Sequence, residues 1–210
     1  MNDFIKDLEK VVEKMKPELD AETYSKLKAL ENRLTDLYQK NLVKINHSIM
    51  ELVCAKHLIK NGFEVAIEHT LNGISCDIYA TKGFGTMIVE VETGFVPPEN
   101  ALDPQLYLNG RVASKITRYS GYANKFCLAT PLYYVMQIPA VFVKPPRFRT
   151  EKEIESMKQL CDLYYTKPPI TFEEIKNARL HSIYTINVDS TNIREWDINE
   201  YMGKAALWSV

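Results

Sequence analysis

Ser75-Cys-Asp-Ile-Tyr-Ala-Thr-Lys-Gly-Phe-Gly-Thr-Met-Ile-Val-Glu-Val-Glu92 reads as two β-strands joined by a short turn. Gly83 and Gly85 can supply the positive φ that a tight hairpin needs. Placing Thr81 opposite Thr86 sets Asp77 opposite Glu90. Side chains alternate with a period of two. One face then carries Cys76, Ile78, Ala80, Met87, Val89 and Val91, all apolar, and the other carries Ser75, Asp77, Tyr79, Thr81, Glu90 and Glu92. Directly opposed residues have Cβ atoms roughly 4.5–5.5 Å apart, where like charges repel. Two carboxylates so placed, with a third two residues on, are destabilising unless a cation or a shared proton compensates. A hard divalent ion is the natural partner: magnesium takes carboxylates, waters and phosphate oxygens, and can activate a water toward a phosphate. The competing reading is a solvated acidic face, since 27 of the 210 residues are Asp or Glu. Adjacent strands, a common face and an apolar backing favour the metal.

Working outward from the hairpin, Ser48 to Asn61 reads as a helix with Ile49, Leu52, Val53, Leu58 and Ile59 inward and Gly62 as its stop. A strand at 63–70 precedes the hairpin strands, placed at 74–82 and 86–93. After a proline-containing stretch come a helix near 112–124 and strands at 126–131 and 139–144. The pattern is an α/β core of order α-β-β-β-α-β, with a mixed sheet flanked by helices. Upstream, Ile5, Leu8, Val12, Met15 and Leu19, then Leu27, Leu30, Leu34 and Leu37, recur at spacings of three and four. Residues 1–43 are therefore expected to form a helical hairpin, either packed on its own domain or dimerising, with the core domain at 44–210. Downstream, Thr150–Glu153 and Thr171–Glu174 are capping boxes that open helices. His181 to Val188 suggests a strand, and Trp196 to Trp208 a helix.

The composition, 46% hydrophobic and 25% charged, is that of a globular chain, and no apolar run is long enough to cross a bilayer. With no apolar signal-peptide core in the first 30 residues, the expected location is the cytoplasm. Cys54, Cys76, Cys127 and Cys161 are scattered, which argues against zinc or a disulfide framework and for buried thiols. A net charge of −1 does not advertise nucleic-acid binding, so any such contact must come from a local patch. Nucleotide-binding and serine-hydrolase motifs are missing. His47, His57, His69 and His181 show no mutual spacing of ligands or of a catalytic pair. They read as surface or satisfied histidines, with His69 alone near the hairpin.

Over residues 48–144 the chain resembles the PD-(D/E)XK nuclease superfamily, especially archaeal Holliday junction resolvases and RecB-like nucleases. Glu51 stands eleven residues before Gly62, as the helical glutamate does in resolvases. Cys-Asp-Ile-Tyr-Ala stands where the family has Pro-Asp-aliphatic-aliphatic-Ala, and Ile-Val-Glu-Val-Glu-Thr stands for the strand carrying Glu-x-Lys. Lys115…Tyr119 echoes the RecB-like Gln-x-x-x-Tyr spacing. The resemblance implies a restriction-endonuclease-like fold and a Mg²⁺- or Mn²⁺-dependent deoxyribonuclease of structure-selective or low sequence specificity. The metal would sit on Asp77, Glu90, the Val91 carbonyl and Glu92, with Glu51, Asp77, Glu90, Glu92 and Lys115 as the catalytic set. Glu51 also fits a capping box with Ser48. Glu92 replaces the motif lysine. It could hold metal or act as base, the lysine could have migrated to Lys115 or to Lys82, or the site could be degenerate and only bind DNA. The helical extension and Glu-x-Glu also resemble nuclease-like proteins of archaeal spindle-shaped viruses.

For the DNA partner, Arg111, Lys115 and Arg118, with Lys125 beside them, form one cationic group. Lys144, Arg147 and Arg149 around Phe148 form another. A homodimer would suit a symmetric substrate. No membrane and no small-molecule cofactor are expected.

Overall fold

The computed structural model describes residues 3–43 and 45–208; position 44, where the sequence reading starts the core domain, lies outside them. The hairpin forms in the expected register. Strands β2 (Ile74–Lys82) and β3 (Gly85–Val91) are antiparallel, with Thr81 opposite Thr86. Gly83 takes φ +58° in the two-residue turn. Strand β1 (Glu64–Leu71) lies antiparallel on the free edge of β2. Helix α4 (Pro104–Tyr119) then carries the chain across to β4 (Lys125–Pro131), parallel to β3. Beyond it lie β5 (Ser182–Asn187), parallel to β4, and β6 (Asn192–Trp196), antiparallel to β5. The six strands follow one another in chain order across a single mixed sheet. With α3 (Ile45–Lys60) before β1, the core order is α-β-β-β-α-β.

Helices cover both faces. On one, α1 (Asp3–Met15), α2 (Ala21–Gln39) and α3 share a core with Ile67, Ile78, Val89 and Ala129. The leucine seam of the first two helices is spent there: Leu8, Val12, Met15, Leu27 and Leu34 are all fully buried. On the other face, α4 packs with Ile88, Phe126 and Leu128. The same core takes in α6 (Glu151–Asp162), α7 (Phe172–Asn177) and α8 (Ile198–Ala205). Both expected capping boxes are made, Thr150 with Glu153 and Thr171 with Glu174. All four cysteines are buried and unpaired.

Four expectations need correction. The apolar stretch 139–144 is no strand: Pro139, which lacks an N–H, caps a single helical turn, α5 (Ala140–Val143), and both edges of β4 are already taken. Helix α4 begins at Pro104 rather than near 112, with proline in the first turn where its missing donor costs nothing. It also stops at Tyr119 rather than running to 124; the tail helix forms as expected, as α8, with strand β6 before it. Finally, Cys76 packs in the second core while Ile78 packs in the first, so the alternation breaks at Asp77.

Candidate metal centre

That break builds the site. Backbone pairing of β2 with β3 runs from Lys82–Gly85 back to Ile78–Val89. At the next position side chains replace the ladder: the Asp77 amide donates to Glu90 Oε1 at 2.9 Å, and the Val91 amide donates to Asp77 Oδ2 at 2.6 Å. In β1, between the Ile67–Ile78 and His69–Cys76 pairs, Glu68 has φ +45°, a left-handed conformation that costs a non-glycine residue of order 1–3 kcal/mol. The strands part here, and side chains from helices on opposite faces of the sheet meet in the gap.

From α4 comes Lys115. Its Nζ lies 3.1 Å from Glu90 Oε2 and 3.3 Å from Asp77 Oδ2, and donates to the Val91 carbonyl at 2.6 Å. Those are three of the oxygens that the sequence reading assigned to a metal. The repulsion between Asp77 and Glu90 is thus compensated by an ammonium. Burial disfavours that charge, but Asp77, Glu90 and Glu92 outweigh it and hold the lysine pKa above its ordinary value. Burial, then the Asp77 charge, push the Glu90 carboxyl up to about 8.

From α3 come His47 and Glu51, one helical turn apart and so on one face. With Asp77 they each offer a ligand atom, all within 4.8 Å of one another. Glu51 is fully buried, and among the described residues neither of its carboxylate oxygens has a hydrogen-bond partner. Ser48 lies inside α3 rather than at its N-cap, and its hydroxyl has no partner among the described residues, so the capping-box reading fails. Burial, then the charges of Asp77, Glu68 and Glu90, raise the Glu51 pKa well above the usual carboxylate range. A buried acid with no donor to satisfy it is costly, and a cation would relieve that cost. Burial lowers the His47 pKa, favouring the neutral imidazole that a metal requires. The sequence reading missed His47; the i, i+4 spacing to Glu51 was the available signal.

Glu92, also fully buried, faces elsewhere. It accepts from Arg111 Nε at 2.9 Å and from the Gly94 amide at 3.1 Å. Tyr119 donates to the Ser75 carbonyl at 2.8 Å, tying α4 to the start of β2. Lys82 donates to the Asn61 carbonyl, away from the cluster.

The expected DNA-contacting cations divide. Arg111, Lys115 and Arg118 line the site, the last stacked on Tyr165 and bonded to the Pro168 carbonyl. Lys144 pairs with Glu153 on α6, and Arg147 lies over the exposed Phe148 ring. Arg149 is buried, its guanidinium donating to the carbonyls of Val141, Ile175, Lys176 and Lys144. It ties the α5–α7 region together and has no face left for a phosphate.

No family model matches this chain, and no curated protein matches it. Among solved structures, the chain is similar to an XisH family protein from Nostoc punctiforme PCC 73102. The match has 15% identity and a TM-score of 0.33, and covers 71% of this chain and 98% of that one.

Proposed function

We propose that this chain is a divalent-metal-dependent nuclease of the PD-(D/E)XK type that hydrolyses DNA phosphodiester bonds. The observation that carries the reading is Glu51, fully buried with both oxygens unpartnered among the described residues, aimed at the gap where Asp77 and His47 also offer ligand atoms. Carboxylate oxygens with one imidazole nitrogen suit Mg²⁺ or Mn²⁺, and the nitrogen tilts the choice toward Mn²⁺. His47, Glu51 and Asp77 would hold the ion. When bound, it would polarise a phosphate oxygen and make an attacking water more acidic.

The remaining residues supply positioning and charge. Glu90 fixes the Asp77 amide and anchors Lys115, which brings a buried positive charge to where phosphate charge develops during hydrolysis. Lys115 thereby serves in place of the motif lysine, while Glu92 orients Arg111. The expected outcome is Mn²⁺- or Mg²⁺-dependent cutting of branched, single-stranded or duplex DNA. Asp77→Asn should lower the rate by more than the roughly 10–100-fold cost of losing an outer-shell partner. Cleavage at the wild-type rate by Asp77→Asn would rule the mechanism out.

A second reading, a nuclease fold that binds DNA without cutting it, draws on the position of Lys115. Its ammonium occupies the space between Asp77, Glu90 and the Val91 carbonyl, where the sequence reading put the ion. That reading predicts metal-independent, salt-sensitive DNA binding with no cleavage of any substrate.

A further inference from the structure

Two cavities flank the acidic cluster, and Arg111 lines both. The smaller, about 190 Å³, is bounded by Asp77, Glu90, Lys115, Arg118 and Tyr165. Its cations suit a phosphate group, and the buried Nε of Arg118 has no hydrogen-bond partner among the described residues. The larger, about 450 Å³, lies on the His47 and Glu68 side and is walled by Leu42 and Phe95. These two apolar residues are 65% and 61% exposed. Phe95 stands on a pinned loop. Gly94 has φ +75°, its amide is bonded to Glu92, and a Cβ there would lie 2.6 Å from the Tyr134 ring. The aromatic ring is therefore displayed to solvent on a fixed support, beside a polar site.

A planar, π-faced group is what such a wall would recognise, and the volume is in the range of sites that hold one small ligand, roughly 300–1,000 Å³. In duplex DNA the bases are stacked inside the helix and cannot enter unless flipped out. Resting on the nuclease reading above, we infer that the cleft holds one unpaired nucleobase of the strand being cut, stacked on Phe95, while a phosphate occupies the smaller cavity. The substrate is then single-stranded DNA or a single-stranded end rather than intact duplex.

The test is fluorescence anisotropy with Ca²⁺ in place of Mg²⁺, using a short single-stranded oligonucleotide and its duplex. Wild type is expected to bind the single strand at least about tenfold more tightly. Phe95→Ala should lose about tenfold on the single strand, in the range of one lost base–aromatic stack, and nothing on the duplex. A 2-aminopurine in the strand should change its fluorescence on binding wild type, as it leaves its stacked neighbours, and not on binding Phe95→Ala. Equal or tighter duplex binding, or an unaffected Phe95→Ala, overturns the inference. Cleavage is scored separately. A protein that cuts duplex as readily as single strand keeps the nuclease reading and loses the cleft. One that cuts nothing, yet shows the Phe95-dependent preference, loses the nuclease reading and keeps the cleft.

Discussion

The Glu51 carboxyl is fully buried, and no donor among the described residues reaches its oxygens. Burial and three neighbouring carboxylates raise its pKa in the folded protein above the ordinary value of 4.5. The folded state therefore keeps a proton that the unfolded chain has released. Stability is full below the unfolded pKa and is lost as pH rises through the folded one. Glu51→Gln should match wild type in Tm at pH near 4 and exceed it increasingly toward pH 8, measured without added metal. Mn²⁺ should raise the Tm of wild type at pH 8 and leave Glu51→Gln nearly unmoved. A Glu51→Gln curve parallel to wild type across that range would mean that some other group satisfies the carboxyl.

Among the elements, the N-terminal helices carry a seam whose partner was ambiguous over so few turns. Leu34 of α2 is fully buried, in one core with α3 and with strands β1 to β4. Leu34→Ala should then cost about 2–5 kcal/mol, read as a lower urea midpoint at an unchanged slope. The loss should not depend on protein concentration, as it would if the seam were closed by a second copy. The seam was legible at this scale because leucines three and four residues apart define a helix stripe wherever they occur. What the stripe covers was not, because an apolar face fits α3 of its own chain and a second copy equally well.

For the whole molecule, the site exists because layers on opposite faces of one sheet both reach Asp77 where the strands part. Lys115 arrives from the α4 layer, and His47 and Glu51 from the α3 layer. Replacing Lys115 with Met removes the cation between Asp77 and Glu90. Breaking such a buried pair costs about 3–5 kcal/mol. In thermal melts, Lys115→Met should lose stability without metal and regain more from Mn²⁺ than wild type does, because Asp77, the one group that both cations touch, is then left to the ion. An equal gain in both proteins would mean that Asp77 does not hold the ion.

The hairpin register, the placing of Asp77 beside Glu90, the order of the core elements and the caps of α6 and α7 were all legible along the chain. Each depends on contacts a few residues apart, where period, turn chemistry and local charge are decisive. What compensates the acids came from packing alone. The gap opens where Asp77 and Glu90 satisfy backbone amides in place of the sheet ladder, and a lysine 38 residues away fills it. Packing also decided that Arg149 is a buried clamp and that His47 belongs to the site. Those roles are set by which faces of distant helices the packed layers bring together, and no local pattern along the chain encodes that distance.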